Sequence, residues 1–451
     1  MENNRSSWGS NLGFLLAAIG SAVGLGNIWG FPYKMGKCGG FTFLIVYLLL
    51  AIFVGMIIMV SELSIGRKTK KSPIDAYPQV SKKFSWIGWL ATIAPFFIMS
   101  FYTVLGGYCL QYIALNMTKL SFGNAAVPLS GGESFGAMLT SPFGCVVFTI
   151  LFIVICMLIV QGGVSGGIEK FNKVGMPALF VMLLIIIVRS LTLPNAVEGL
   201  KFYLLPNIEG FKEAGIGHVI EAAMNQSFFT LSIGIACIEI FGSYMSDEYT
   251  LPNEAVRICA LDTFVAILSG LIIFPACFSF GVQPDQGPSL IFMTLPRVFM
   301  EMPSGRLWGT CFFLFMTFAS FTTVITVFEN LIATSMDNFH WSRKKAVMIN
   351  CIFLLVASMP CVLGYNVLSN VHLIGARDIL DSEDFIVSQL LLPIGALIYA
   401  LFCTSNKGWG IDRYMNECNK GEGICFAPYT ESYFRYILPI LIIVVFVQGL
   451  L

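Results

Sequence analysis

Apolar runs of about 20 residues, the length that carries a helix across a bilayer, recur along this chain and centre near residues 22, 52, 100, 152, 183, 230, 268, 318, 353, 394 and 442. The pattern predicts an all-α polytopic membrane protein with eleven transmembrane helices. Two of the runs are interrupted. In the first, Gly20-Ser21-Ala22-Val23-Gly24-Leu25-Gly26-Asn27-Ile28-Trp29-Gly30-Phe31-Pro32 is too rich in glycine, with a proline, to continue as a plain helix. In the sixth, Thr230-Leu231-Ser232-Ile233-Gly234-Ile235-Ala236 repeats the interruption. Backbone groups freed at membrane depth are costly unless protein or a water-lined cavity satisfies them, so such breaks persist where something polar binds.

The two interruptions fall at the first position of two successive five-helix sets. Five is odd, so the halves insert with opposite orientation, and interrupted segments at corresponding places point to a midplane site. The expected organisation is a 5+5 inverted repeat, 8–192 and 214–405, with the first and sixth helices unwound at the midplane and 433–451 added as an eleventh helix. Composition agrees: 56% of residues are hydrophobic, 12% are charged and the mean hydropathy is +0.79, too little polar surface for a soluble globule. The first run has no upstream basic region and no small-residue cleavage site, so it is expected to stay in the mature chain.

Membrane lipid is an expected partner of so apolar a chain, and with a formal net charge of zero nucleic acid is not. The basic residues are uneven between alternate loops, and that asymmetry sets orientation. Arg67, Lys68, Lys70, Lys71, Lys82 and Lys83 follow the second run and Arg343, Lys344 and Lys345 the eighth; both loops, and with them the N-terminus, are expected in the cytoplasm, which places Leu451 outside with no tail beyond it. The longest connections, near 117–142, 193–215, 365–384 and 406–432, are positioned to cap a vestibule. The thirteen cysteines are scattered, only Cys418 and Cys425 share a soluble loop, and they are read as reduced. His218, His340 and His372 form no metal signature, and the absence of a convergent acid, base or nucleophile set argues against an enzyme.

Gly20 and Gly24 alone would mean close helix packing; Gly26, Asn27, Gly30 and Pro32 within the next eight residues turn the reading toward unwinding. An unwound segment offers carbonyls to a cation, and the following half-helix offers N–H groups and a positive dipole to an anion. In the eighth run Ala319, Thr322 and Thr323 supply neutral oxygens. Threonines in membrane helices usually bond their own helix, yet neutral oxygen ligands suit a hard monovalent cation, with sodium the natural candidate, whereas a divalent site would gather carboxylates. Asp262 and Glu62 are intramembrane ionisable groups and hence site candidates, while Glu239 is read as structural. Ile98, Phe101, Tyr102, Phe229 and Val327 supply apolar walls near the midplane.

Ser21-Ala22-Val23-Gly24-Leu25-Gly26-Asn27 with Phe31-Pro32, and Phe228-Phe229-Thr230-Leu231-Ser232, make the chain resemble the neurotransmitter:sodium symporters, in particular the bacterial amino-acid transporters with the leucine-transporter fold, from Arg5 to Leu451. The resemblance implies sodium-coupled import of a hydrophobic or aromatic L-amino acid by alternating access across a bacterial plasma membrane. It implies one sodium at Ala22, Asn27, Thr230 and Asp262, completed by the substrate's carboxylate, and a second at Gly20, Val23, Ala319, Thr322 and Thr323. The implied substrate pocket comprises Ser21, Ala22, Gly24, Leu25, Gly26, Ile98, Tyr102, Phe229, Thr230, Ser232, Ile235, Ala236, Thr323 and Val327. An inner gate of Arg5, Trp8, Tyr244 and Asp337 and an outer gate of Tyr102, Phe229 and Asp384 are implied as well. Gly24 stands where amine-carrying members have an aspartate, which implies a substrate with its own carboxylate.

Three departures from the family pattern stand out. Gly30 replaces the usual arginine or lysine of the outer gate, which leaves Lys34 or Lys37 to pair with Asp381 or Asp384. Asp262 and Ala266 replace the asparagine and serine of chloride-dependent members, which implies transport without chloride even though Tyr47, Gln226 and Thr230 match other parts of the chloride site. A twelfth helix is not expected, and the monomer is the favoured state. Gly167 and Pro177 match the family's helix 5 unwinding motif, which is associated with hydration of the inner sodium site. The alternative on the same fold is a sensor that binds an amino acid with sodium and does not transport it.

Overall fold

A computed structural model describes residues 8–118, 138–139, 142–281 and 290–450, and among them the ordered elements are helices, with isolated bridges in place of strands. Among the described residues nine helices are long and apolar enough to cross a membrane: α3 (Phe41–Thr69), α4 (Lys82–Met117), α5 (Pro142–Gln161), α6 (Val164–Leu191), α9 (Leu251–Ser279), α10 (Gly305–Phe339), α11 (Arg343–Leu363), α12 (Ile379–Thr404) and α13 (Pro428–Gly449). The first expected run is a tenth candidate made of two pieces, α1 (Asn11–Ala22) and α2 (Gly26–Lys37), bent by 49°. The sixth is α7 (Ile216–Thr230) and α8 (Cys237–Gly242) with residues 231–236 between them. Neither piece of the sixth is long enough to span, so length and composition support up to ten spans where the apolar pattern predicts eleven.

Both breaks have local causes. Val23 leaves the helical region with ψ 90°, and Gly26–Gly30 winds as a π-helical turn before Pro32 restarts the helix. In the second break Ser232, Gly234 and Ala236 have φ of 52°, 89° and 56°, so the chain crosses into the left-handed region three times in five residues and no hydrogen-bonded helix survives.

The freed backbone groups find partners, as membrane depth requires. Ser21 O accepts from Ser232 Oγ at 3.0 Å and from Thr323 Oγ1 at 3.3 Å. Gly24 N–H donates to Asn27 Oδ1 at 3.3 Å, Leu25 N–H to Tyr102 OH at 2.7 Å, and Gly26 O accepts from Gln226 Nε2 at 2.8 Å. Across the second break Gly234 N–H donates to Glu62 Oε1 at 2.5 Å, while Asn330 Nδ2 donates to Ile235 O and Ala236 O at 3.4 and 3.3 Å. Glu62, a site candidate from sequence, thus holds the second break. Glu239 accepts from Tyr77 OH at 2.9 Å.

The breaks are enclosed by long helices. α10 runs along α4, α6 and α1 with 83% of its apolar window inside the protein, whereas α13, which rests on α7 and α12, has 28%. The first is therefore a central pillar and the second a peripheral helix. The expected connections near 193–215 and 406–432 hold helices of their own, Ala196–Leu204, Ile208–Ala214 and Ile411–Cys418. The connection near 117–142 lies mostly outside the described residues.

Candidate functional site

The two breaks meet at a buried cavity between α1, α4, the turn at 231–236, α10 and α12. Ser21, Ala22, Gly24, Gly26, Ile98, Tyr102, Phe229, Ser232, Ile235, Thr323 and Val327 line it, and Leu392 of α12 joins them. The first eleven are all expected pocket residues. Leu25, Thr230 and Ala236, expected with them, are buried but do not form its lining. Leu392 was not foreseen: α12 is drawn onto the second break because a Cβ on Gly395 would meet the Gly234 backbone and one on Gly234 the Leu392 backbone, a closeness that only the folded chain shows. The lining closes around a space of about 20 Å³, so an amino acid enters only with movement of these side chains.

On one side of the cavity lies a polar cluster. Asn27 Nδ2 donates to Asp262 Oδ1 at 2.6 Å and to its backbone oxygen at 3.1 Å, and Thr230 Oγ1 lies 3.3 Å from Tyr47 OH. Tyr47 and Thr230 also interact with Asp262. All four residues are fully buried or nearly so, so α2, α3, α7 and α9 each bring one oxygen-bearing side chain to one place. Ala266, one turn beyond Asp262, is buried without a hydroxyl.

A second oxygen group joins α1 to α10. Thr322 Oγ1 donates to Ala319 O at 2.9 Å and reaches Val23 O at 3.5 Å, while Thr323 Oγ1 reaches Ser21 O and Ala319 O at 3.3 Å each. Gly20 packs against Thr322 and Asn172. The oxygens of both groups are neutral apart from the Asp262 carboxylate, which fits a hard monovalent cation.

Below the cavity Trp8 meets Phe14, Phe241 and Tyr244 edge to face with centroids 6.0, 5.0 and 6.1 Å apart. Asp337 accepts from Ser72 N–H at 2.8 Å, and Tyr244 OH donates to Glu329 Oε1 at 2.9 Å. Arg5 lies outside the described residues. The Glu329–Arg343 ion pair, at 2.5 Å, belongs to the same region and was not anticipated from sequence. Above the cavity Asp384 accepts from Ser388 Oγ at 2.8 Å. Lys34 is the cation whose charge acts on Asp384, with Glu221 as its second acidic neighbour; Lys37 lies over the Tyr33 ring.

A helical membrane protein with two discontinuous helices converging on an enclosed site, flanked by clusters of buried oxygens, has the architecture of a secondary transporter. The chain matches the Sodium:neurotransmitter symporter family over residues 5–130 and 138–451 and belongs to it. It is 36% identical over 452 residues to the uncharacterized sodium-dependent transporter YhdH of Bacillus subtilis, covering 99% of this chain and 98% of that one. It is 30% identical over 462 residues to an uncharacterized sodium-dependent transporter of Haemophilus influenzae, covering 100% and 99%. The crystal structure of MhsT in complex with L-phenylalanine superposes with a TM-score of 0.89 at 36% identity, covering 99% of this chain and all of that one. The chain is therefore a sodium-dependent transporter and not an enzyme.

Proposed function

We propose that this protein imports a hydrophobic or aromatic L-amino acid together with two sodium ions, by alternating access and without chloride, across a bacterial plasma membrane. The observation that carries the reading is the space at Gly24, where a Cβ would lie 2.5 Å from both Thr323 Oγ1 and Tyr102 OH. No acidic side chain fits there, so the carboxylate that completes the first sodium site comes from the substrate. Tyr102 OH accepts from Leu25 N–H, which leaves its own proton to donate to that carboxylate. The apolar wall of Ile98, Phe229, Ile235, Val327 and Leu392 supports a hydrophobic side chain, and the phenylalanine complex of MhsT supports an aromatic one.

The first sodium uses oxygens of Ala22, Asn27, Thr230 and Asp262, and the second those of Gly20, Val23, Ala319, Thr322 and Thr323. A fixed carboxylate at Asp262 balances charge without an anion. Each sodium charge moving down a membrane potential contributes about 2.3 kcal/mol per 100 mV, enough for two ions to drive accumulation. The inverted repeats 8–192 and 214–405 rock about the site, 433–451 stands outside them, and the monomer is the working unit with its N-terminus in the cytoplasm. Trp8, Tyr244, Asp337 and Arg5 close the inner side; Tyr102, Phe229 and Asp384, with Lys34 as cation, close the outer.

Uptake of labelled phenylalanine, tyrosine, tryptophan and leucine into proteoliposomes, with and without an inward sodium gradient, in chloride and in gluconate, tests this. Sodium-driven accumulation that persists in gluconate is expected. Accumulation that stops in gluconate overturns chloride independence, a preference for alanine or glycine overturns the substrate class, and sodium-dependent binding without accumulation identifies a sensor.

A further inference from the structure

We propose that Asn172 of α6 supplies an additional oxygen to the second sodium site, so that three helices rather than two hold that ion. The inference rests on the two-sodium reading above. Asn172 is fully buried and is fixed in orientation, because its Nδ2 donates to Ile168 O at 3.0 Å. Its Oδ1 is a buried acceptor with no hydrogen-bond donor among the described residues. A Cβ built on Gly20 would overlap that oxygen and would lie 3.1 Å from Thr322 Cβ. Oδ1 therefore occupies the small space shared by Gly20 and Thr322, two members of the second sodium set, and Gly20 is the residue that admits it.

A buried amide oxygen without a donor is costly, and a monovalent cation is a partner that brings no hydrogen of its own. Side-chain amide oxygens ligate hard cations as backbone carbonyls do. The location adds a mechanical consequence. Asn172 lies between Gly167 and Pro177, just beyond the π-helical turn Val164–Glu169 that opens α6, and its anchor Ile168 belongs to that turn. Any rewinding or unwinding there moves the acceptor that orients the amide, withdraws Oδ1 and weakens the site.

The test is a sodium titration of the purified protein in detergent without amino acid, at constant ionic strength with choline, reading thermal stabilisation. Thr322→Ala calibrates the second site. Asn172→Ala is expected to raise the half-saturating sodium concentration roughly tenfold and to leave the melting temperature in choline alone close to that of the unsubstituted protein. If Thr322→Ala weakens sodium stabilisation and Asn172→Ala does not, the site stands and Asn172 is not its ligand. If neither weakens it, the two-sodium reading itself fails. Should Asn172→Ala not yield folded protein, Asn172→Ser, which removes the amide oxygen and retains a small polar group, is titrated in its place and is expected to show the same rise; an unchanged titration overturns the proposal.

Discussion

At Gly24 the 2.5 Å left to Thr323 Oγ1 and Tyr102 OH makes even a methyl group an obstacle at the place where the substrate carboxylate is proposed to sit. Overpacking of this kind costs about 1–3 kcal/mol, so Gly24→Ala is expected to lower amino-acid affinity about tenfold or more, read by competition binding, while the fold survives. Asp262 receives the Asn27 amide at 2.6 Å, and hydrogen bonds to a charged group contribute about 1.5–3 kcal/mol. Asp262→Asn is expected to raise the sodium concentration for half-maximal uptake by about tenfold or more and to make uptake sensitive to the replacement of chloride by gluconate. Leu392 lies in the apolar wall; Leu392→Ala is expected to favour tryptophan over leucine in competition assays by enlarging the side-chain space. The glycines and polar residues of the site were legible because they violate the pattern of an apolar helix. Leu392 violates nothing, and a leucine among many in a membrane span gives no signal until another helix is brought against it.

The same contrast holds between elements. The break in the first run was visible as a cluster of glycines with a proline, but what holds its N-terminal half down was not. Glu169, in the π-helical turn of α6, accepts from Gly9 N–H at 2.8 Å and Ser10 Oγ at 3.0 Å and pairs with Lys173 at 2.7 Å, and Gly13 leaves it room, since a Cβ there would overlap its carboxylate. Glu169→Ala removes both hydrogen bonds to the start of α1. Hydrogen exchange of residues 9–16 is expected to rise about tenfold, the equivalent of roughly 1.4 kcal/mol, with little change in the core of α10. Gly395→Ala is expected to be among the most damaging single methyl additions, because the neighbour is the Gly234 backbone, which has no rotamer to yield. A melting temperature close to that of the native protein would show that α12 does not lie as close to the second break as described.

Across the whole molecule, the helix Ile411–Cys418 is tied to the end of α3 by a buried cation. The Arg67 side chain has no exposed surface, donates to Glu417 Oε1 at 2.9 Å and to Tyr249 O at 2.9 Å, and also bonds the Glu417 carbonyl. Removing one partner of a buried pair strands the other, at a cost of about 3–5 kcal/mol, so Arg67→Ala is expected to lower stability by that order in denaturation assays. The Asp247–Lys420 pair in the same region is half exposed, and Lys420→Ala is expected to leave the melting temperature nearly unchanged. Partial burial acts to raise the Asp247 carboxyl, but the Lys420 hydrogen bond and the charges of Lys420, Lys70 and Arg67 outweigh it and hold the group below its ordinary value. Its contribution is therefore present at neutral pH and is lost as the pH falls through that lowered value.

The sequence alone determined the membrane class, the number and order of apolar runs, both helix breaks and the chemistry gathered around them, because each depends on local composition: a span needs about 20 apolar residues, and a break needs residues that do not continue a helix. It did not reach the short helices within the connections at 193–215 and 406–432, and it marked the interruption of the sixth run without its two short pieces, Ile216–Thr230 and Cys237–Gly242. Tertiary structure decided which of the buried polar residues share a site and which secure the scaffold. Asn27 and Asp262, 235 positions apart, meet at 2.6 Å, while Glu62, equally ionisable and equally buried, is committed to the Gly234 backbone. In a low-dielectric interior an unpaired polar group is costly, and only the packing of distant helices fixes which partner each one meets.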